Sequence, residues 1–200
     1  MTIRWTQRPD GSNWGDFGPD DQLGRINLIN RDKVLQGLAE ATEGLTFCLS
    51  LPLDYPGGSD LNPRRRPPIL RPTLRSDSAN FNSVLSGKIT STDVLSDDLA
   101  ILHLQYSTQW DSLAHVGGQF DVDGDGVDEL VYYNGFRAGV DIVGPSDIKD
   151  AGITQNMEMV STSHAHKLGI ETIAAHGVQG RAVMIDLHAH LGNAFTHVGY

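Results

Sequence analysis

The chain is short of sulfur, of basic charge and of long apolar runs. A lone cysteine, Cys48, excludes an internal disulfide framework and suits a reducing compartment. No apolar stretch approaches the roughly 20 residues that a membrane helix needs. The amino terminus, Met1-Thr2-Ile3-Arg4-Trp5, lacks the apolar core of a signal peptide. Lys and Arg number 15 against 25 Asp and Glu, a net charge of -10, which argues against nucleic acid or an anionic membrane as partner. The expectation is a soluble cytoplasmic protein acting on a small molecule. What is present is ordinary for a globular chain: 39% hydrophobic and 20% charged residues, with 200 residues enough for one domain, 1–200, and a sizeable core.

The richest chemistry lies in Ser107-Thr108-Gln109-Trp110-Asp111-Ser112-Leu113-Ala114-His115. The apolar segment Leu99-Ala100-Ile101-Leu102 leads into it, and Gly117-Gly118 follows where a chain can turn. An apolar strand that delivers polar groups into a turn builds a rigid concave site. If the strand persists, alternation places His103, Gln105, Ser107, Gln109 and Asp111 on one face, with Leu102, Leu104 and Tyr106 opposite. A helical turn after Asp111 would keep His115 near it at i+4. A carboxylate and an imidazole would then converge beside two amides.

This stretch resembles the signature of the cyclase family, metal-dependent hydrolases that include bacterial kynurenine formamidase. The family motif reads His-x-Gly-Thr-His-x-Asp-x-Pro-x-His. The same frame here runs from Gln105 to His115, with Thr108, Asp111 and His115 matching. Gln105 and Gln109 stand where the family has two histidine ligands, and Leu113 replaces the proline. The wording TQWDSLAHV resembles a particular branch of that family. Two further stretches are similar: Trp14-Gly15-Asp16 with Asp20-Asp21-Gln22-Leu23-Gly24-Arg25-Ile26-Asn27, and the run from Gly177 to His190. The resemblance is co-linear from Trp14 to Tyr200.

The resemblance implies an α/β protein of the swivelling β/β/α type, a barrel-like central sheet flanked by helices, usually as a homo-oligomer. Relatives continue past the point matching Tyr200 with another strand and further His and Glu ligands, so the chain is expected to be C-terminally truncated. The implied activity is metal-dependent hydrolysis of an amide or cyclic amide or ester bond, as in arylformamidase action on N-formylkynurenine during tryptophan catabolism. In that scheme Asp111, Gln109 and Gln105 hold a divalent metal (Zn²⁺, Mn²⁺ or Mg²⁺), His115 is the general acid/base, and Thr108 and Trp110 contact substrate. Amide oxygens are harder, weaker donors than imidazole, which shifts preference from zinc towards Mg²⁺, Mn²⁺ or Ca²⁺. The loss of two histidines leaves a second reading open, an inactive or binding-only relative.

A third reading rests on Asp121-Val122-Asp123-Gly124-Asp125-Gly126-Val127-Asp128-Glu129. Carboxylates at positions 1, 3 and 5 (Asp121, Asp123, Asp125) and glycine at 6 imitate a calcium loop, although Tyr132 occupies position 12. The Asp-Gly pairs suit a hairpin turn equally well, and Leu130-Val131-Tyr132-Tyr133 reads as a strand.

Elsewhere the patterns are structural. Residues 1–30 read as a Gly- and Asp-rich surface loop. Asn30 caps a helix over 31–43, with a stripe of Val34, Leu35, Leu38 and Ala41 and a stop at Gly44. Leu45, Phe47, Leu49 and Leu51 alternate as a half-buried strand, in which Cys48 is a packed residue. Residues 54–95, with five prolines and Arg64-Arg65-Arg66, form a long loop, with the arginines a solvated run or a clamp for a carboxylate or acidic partner. Residues 163–176 are weakly helical and broken by Gly169. Ala182-Val183-Met184-Ile185-Asp186-Leu187 reads as a central strand, followed by His188 and His190 at i, i+2. His164, His166, His176 and His197 sit in no ligand-like frame.

Overall fold

The computed structural model describes residues 4–55, 62–86, 90–105, 108–153 and 159–192. They fall into two compact units, one spanning Phe47–Asp111 and the other combining Met1–Thr46 with Ser112–Tyr200. Both are built from short antiparallel ribbons. Among the described residues the strands form five two-stranded sheets, in a mixed α/β chain without a closed barrel. No helix among them is long and apolar enough to cross a membrane.

The Phe47–Asp111 unit holds β1 (Ile69–Pro72), β2 (Leu74–Arg75), β3 (Ser78–Ala79), β4 (Ser83–Ser86), β5 (Thr90–Leu95) and β6 (Asp98–Ile101). β1 pairs with β6, and the hairpins β2–β3 and β4–β5 are nested between them in sequence. Much of the expected long loop 54–95 is therefore ribbon. Its Ser, Thr and Asp content hides the strands, because polar groups do the tying. Thr73 N donates to Asp97 O (2.9 Å), Asn80 N to Thr73 O (2.8 Å) and Asp97 N to Asn80 O (2.9 Å). Thr73 Oγ1 also donates to Asp97 Oδ2 at 2.9 Å. Leu70 and Leu74 remain exposed.

The other unit holds α1 (Arg31–Ala39), β7 (Gly118–Phe120), β8 (Glu129–Val131), β9 (Ile142–Val143), β10 (His164–Ala165), α2 (Ile170–His176) and α3 (Leu187–Leu191). β7 pairs with β8, and β9 with β10. Its core is Trp14, Val122 and Val131, against which Trp5, Phe120 and Tyr133 pack. Trp14 stands edge-on to Phe120, ring centroids 6.3 Å apart and 81° between planes, an arrangement aromatic pairs favour. Residues 4–30 are thus no mere surface loop. They supply two of the three tryptophans and wrap the β7–β8 hairpin, with Thr6 N donating to Val122 O at 2.7 Å.

Asn134 is the polar centre of this unit. It is fully buried at φ 60°, a backbone conformation that asparagine tolerates. Its Nδ2 donates to the carbonyls of Gly18 (2.9 Å), Pro19 (3.1 Å) and Asp21 (3.1 Å), and its Oδ1 accepts from Gly15 N (2.9 Å). The next residue, Gly135, has φ 71°, and a Cβ there would lie 2.5 Å from Trp5 Cδ1, so only glycine fits.

Several expectations need correction. Asn30 does cap α1, its Oδ1 accepting from Lys33 N at 3.0 Å, but the helix ends at Ala39, well before Gly44, and buries none of its apolar stripe. Residues 45–51 form no strand; Phe47 and Leu49 are exposed, and so is Cys48. Residues 182–186 are irregular, with Val183 and Met184 each 84% exposed. Both segments have a strand pattern, yet a strand exists only where a neighbour accepts its hydrogen bonds, and among the described residues neither has one. The strand expected over 130–133 is β8, which stops at Val131 and gives way to a 3₁₀ turn at Tyr133–Gly135. Gly169 does break the 163–176 segment, standing as the N-cap of α2.

Candidate functional site

β6 carries the chain into the motif but ends at Ile101, so the long alternating face from His103 to Asp111 does not form. The arginine run holds this stretch in place. Arg65 Nη1 donates to Gln105 O at 2.6 Å, and Arg66 N donates to His103 Nδ1 at 3.2 Å. Arg65 therefore grips a backbone carbonyl of its own unit, an outcome that neither a solvated run nor a carboxylate clamp describes.

Side-chain hydrogen bonds, not a strand, bring the proposed ligands together. Gln109 Nε2 donates to Gln105 Oε1 (3.1 Å), and Gln105 Nε2 donates to Asp111 Oδ1 (3.3 Å). The three side chains form one hydrogen-bonded line on an open surface. Thr108 and Trp110 beside them are exposed, Trp110 at 68%. Tyr106 and Ser107 lie outside the described residues. Past the unit boundary, Ser112–His115 is a tight turn with His115 N donating to Ser112 O at 3.1 Å, not the start of a helix, and the His115 side chain is exposed.

The donor chemistry of this line fits a hard divalent cation rather than zinc, since it offers one carboxylate and two amide oxygens and no imidazole. As the amides stand, Gln105 presents its nitrogen to Asp111. The two ends of an amide are nearly the same size. Turning Gln105 over would present an oxygen to Asp111 and a nitrogen to Gln109, and a matching turn of Gln109 keeps their bond.

The 121–129 stretch is both a hairpin loop and a carboxylate cradle. β7 and β8 are in register with Phe120 opposite Glu129, so the loop closes between them. Asp121 Oδ1 accepts from Gly124 N (2.6 Å) and Asp125 N (3.2 Å), and its Oδ2 accepts from Gly126 N (2.8 Å). The Gly126 amide above all, with those of Gly124 and Asp125, outweighs desolvation and holds the Asp121 carboxyl below its usual range. Asp123 Oδ1 accepts from Asp125 N (3.3 Å), and Asp125 Oδ1 from Val127 N (2.8 Å).

Oxygens of Asp121, Asp123 and Glu129 lie within 4.8 Å of one another, a donor set suited to a hard cation. Of the expected trio, Asp125 is thus replaced by Glu129, which the Phe120–Glu129 register brings to the loop. The sequence carries that signal only once β7 and β8 are paired. Glu129 has other partners: Oε2 accepts from Val122 N (2.9 Å), and Oε1 pairs with Arg137 Nη1 (2.9 Å). A carboxylate has lone pairs for more than one partner, but Arg137 offsets part of the charge that would attract an ion.

The Asp21 stretch, which resembles a family signature, is built into the fold. Asp21 Oδ2 accepts from Gly24 N (2.8 Å) and Tyr133 Oη (2.8 Å), and Oδ1 from Asn27 Nδ2 (2.6 Å). Burial first, and then the Asp21 charge, push the Tyr133 hydroxyl well above its ordinary value. Gln22 Oε1 accepts from Leu168 N at 2.9 Å. At the other end, α3 covers His188 and His190, and positions two apart on a helix do not share a face.

No family model matches the chain, and no curated protein does. A crystal structure described as a novel cyclase is similar to it at 31% identity, with a TM-score of 0.46. That similarity covers 63% of this chain and 37% of the other, so the present chain spans well under half the length of that cyclase.

Proposed function

We propose that the chain is a cyclase-type hydrolase that opens an amide or cyclic amide or ester bond, with its chemistry centred on Asp111. The observation that carries this reading is the Gln105–Gln109–Asp111 line. Three positions that the resemblance assigns to metal ligands are joined by hydrogen bonds of 3.1 and 3.3 Å. A bound Mg²⁺ or Mn²⁺ would supply a Lewis acid that polarises a carbonyl and acidifies water. Asp111 supplies the only full negative charge in the line, and Gln105 and Gln109 orient it and add neutral oxygens. Trp110 offers an exposed indole against which an aromatic acyl substrate can lie. The resemblance gives His115 the general acid/base role, taking a proton from water and passing it to the leaving group. Arylformamidase action is the specific case that the resemblance suggests.

The test is hydrolysis of N-formylkynurenine, simple lactones and aryl esters by the purified chain, before and after chelation and with Mg²⁺, Mn²⁺ or Zn²⁺ returned. Activity that falls on chelation and returns best with Mn²⁺ or Mg²⁺ supports the reading. Activity indifferent to chelation, or none on any substrate, removes it.

The 121–129 cradle favours a second reading, a Ca²⁺-binding loop that stabilises the hairpin, because its three carboxylate oxygens already cluster within 4.8 Å. The two readings are compatible, since one concerns catalysis and the other the stability of β7–β8.

A further inference from the structure

We propose that His164 and His166 form a two-histidine chelate for a borderline divalent metal, Cu²⁺, Ni²⁺ or Zn²⁺, on the β9–β10 ribbon. His164 lies in β10, opposite Val143 of β9, and Ala165 lies opposite Ile142. The pairing continues one residue further, since His166 N donates to Asp141 O at 2.8 Å. His164 and Ala165 are extended and the chain bends at His166, yet the two imidazoles come to one side of the ribbon.

The side chains bear this out. The two imidazoles are parallel, 5° between planes, with ring centroids 5.8 Å apart. Both residues are exposed, so an ion reaches them from solvent without opening the fold. Metal–nitrogen bonds of about 2.0–2.1 Å place two cis imidazole nitrogens about 3 Å apart, which rings at this spacing reach by tilting towards each other. Tilting needs only side-chain torsions, and the χ2 torsion of histidine is broad.

Water completes the coordination. Imidazole nitrogens select borderline transition metals, whereas the all-oxygen groups at Asp111 and Asp121 select hard ions. This site therefore takes a different class of metal from either of them and does not depend on the hydrolase reading.

The test is titration of the metal-stripped chain with Cu²⁺ or Ni²⁺, followed by calorimetry and, for Cu²⁺, by electron paramagnetic resonance. A chelate gains from the second ligand being tethered beside the first, so His164→Gln and His166→Gln should each weaken this binding by about a hundredfold. The spectrum of the wild-type protein should show two coupled nitrogens, and either variant one. His176→Gln should leave affinity and spectrum as they were. A second readout needs no variant: zinc should protect residues 164 and 166 together from diethyl pyrocarbonate, mapped by mass spectrometry. Unchanged affinity in either single variant, or modification of both residues undiminished by zinc, would overturn the proposal.

Discussion

Two acidic sites in this chain are organised in opposite ways. In the 121–129 loop, backbone amides hold the carboxylates: Asp121 alone accepts from Gly124, Asp125 and Gly126. Around Asp111, side chains hold side chains, Gln109 to Gln105 to Asp111, and Arg65 grips Gln105 O beside them. Backbone donors cannot be turned over without unfolding the loop, so the first site is set by the fold. Amides can be turned over, so the second can exchange donors for acceptors when an ion arrives. The first arrangement suits a structural role and the second a working one.

The largest effect should come from dismantling the framework behind the loop. Asn134→Ala removes from a fully buried position the hydrogen bonds that Asn134 makes to Gly15 N and to the carbonyls of Gly18, Pro19 and Asp21. We expect a loss of about 2–4 kcal/mol, read from urea unfolding. A loss below about 1 kcal/mol would mean that residues 13–21 do not depend on it.

The next prediction sharpens the contrast in donor chemistry. Replacing Gln105 and Gln109 by histidine should raise zinc affinity at the Asp111 site by about a hundredfold or more, because imidazole is the stronger zinc ligand. Zinc titration of the double variant against wild type measures this. No gain would show that the chain does not aim these side chains at one point.

A smaller effect is expected from calcium at the loop. If the cradle of Asp121, Asp123 and Glu129 binds the ion only when folded, calcium at 100 times its dissociation constant adds about 2.7 kcal/mol. The melting temperature should rise with calcium and cease to do so in Asp123→Ala. A melting temperature indifferent to calcium would leave the loop as a hairpin turn alone.

The smallest effect concerns acid. The folded-state pKa of Asp121 is depressed, so the stability it contributes is present above the ordinary value of 3.8 and lost as pH falls through the lowered one. Unfolding below pH 3.8 should thus be less steep in Asp121→Asn than in wild type, as followed by circular dichroism. Identical acid limbs would show that the loop amides do not favour the charged form.

Local signals were legible in the sequence and pairings were not. The Asn30 cap, the helix break at Gly169, the strand before the motif and the β8 strand all follow from a residue's own preferences or from short-range pattern. The strands expected at 45–51 and 182–187 failed because periodicity states which face an element would bury, not whether a neighbour is there to cover it. The ribbons of 69–95 were missed for the converse reason, since Thr73, Asn80 and Asp97 tie them with polar bonds that leave no apolar signature. The same limit governs the sites. Asp121 and Asp123 stand close in sequence and were found there, but Glu129 needed the hairpin register and the His164–His166 stack needed the β9–β10 pairing. For histidine, i, i+2 spacing is informative on a strand and empty on a helix, which separates 164/166 from 188/190.

The measurement closest to the central claim is Asp111→Asn assayed beside wild type for metal-supported hydrolysis, with thermal unfolding run on the same samples. Asparagine keeps the shape and can still accept from Gln105, but it removes the single charge of the Gln105–Gln109–Asp111 line. We expect hydrolysis to fall by about 100-fold or more with the melting temperature essentially unchanged, because the residue is exposed and bears on the ion rather than on the core. Hydrolysis at the wild-type rate in Asp111→Asn would contradict the account and remove this stretch from the chemistry.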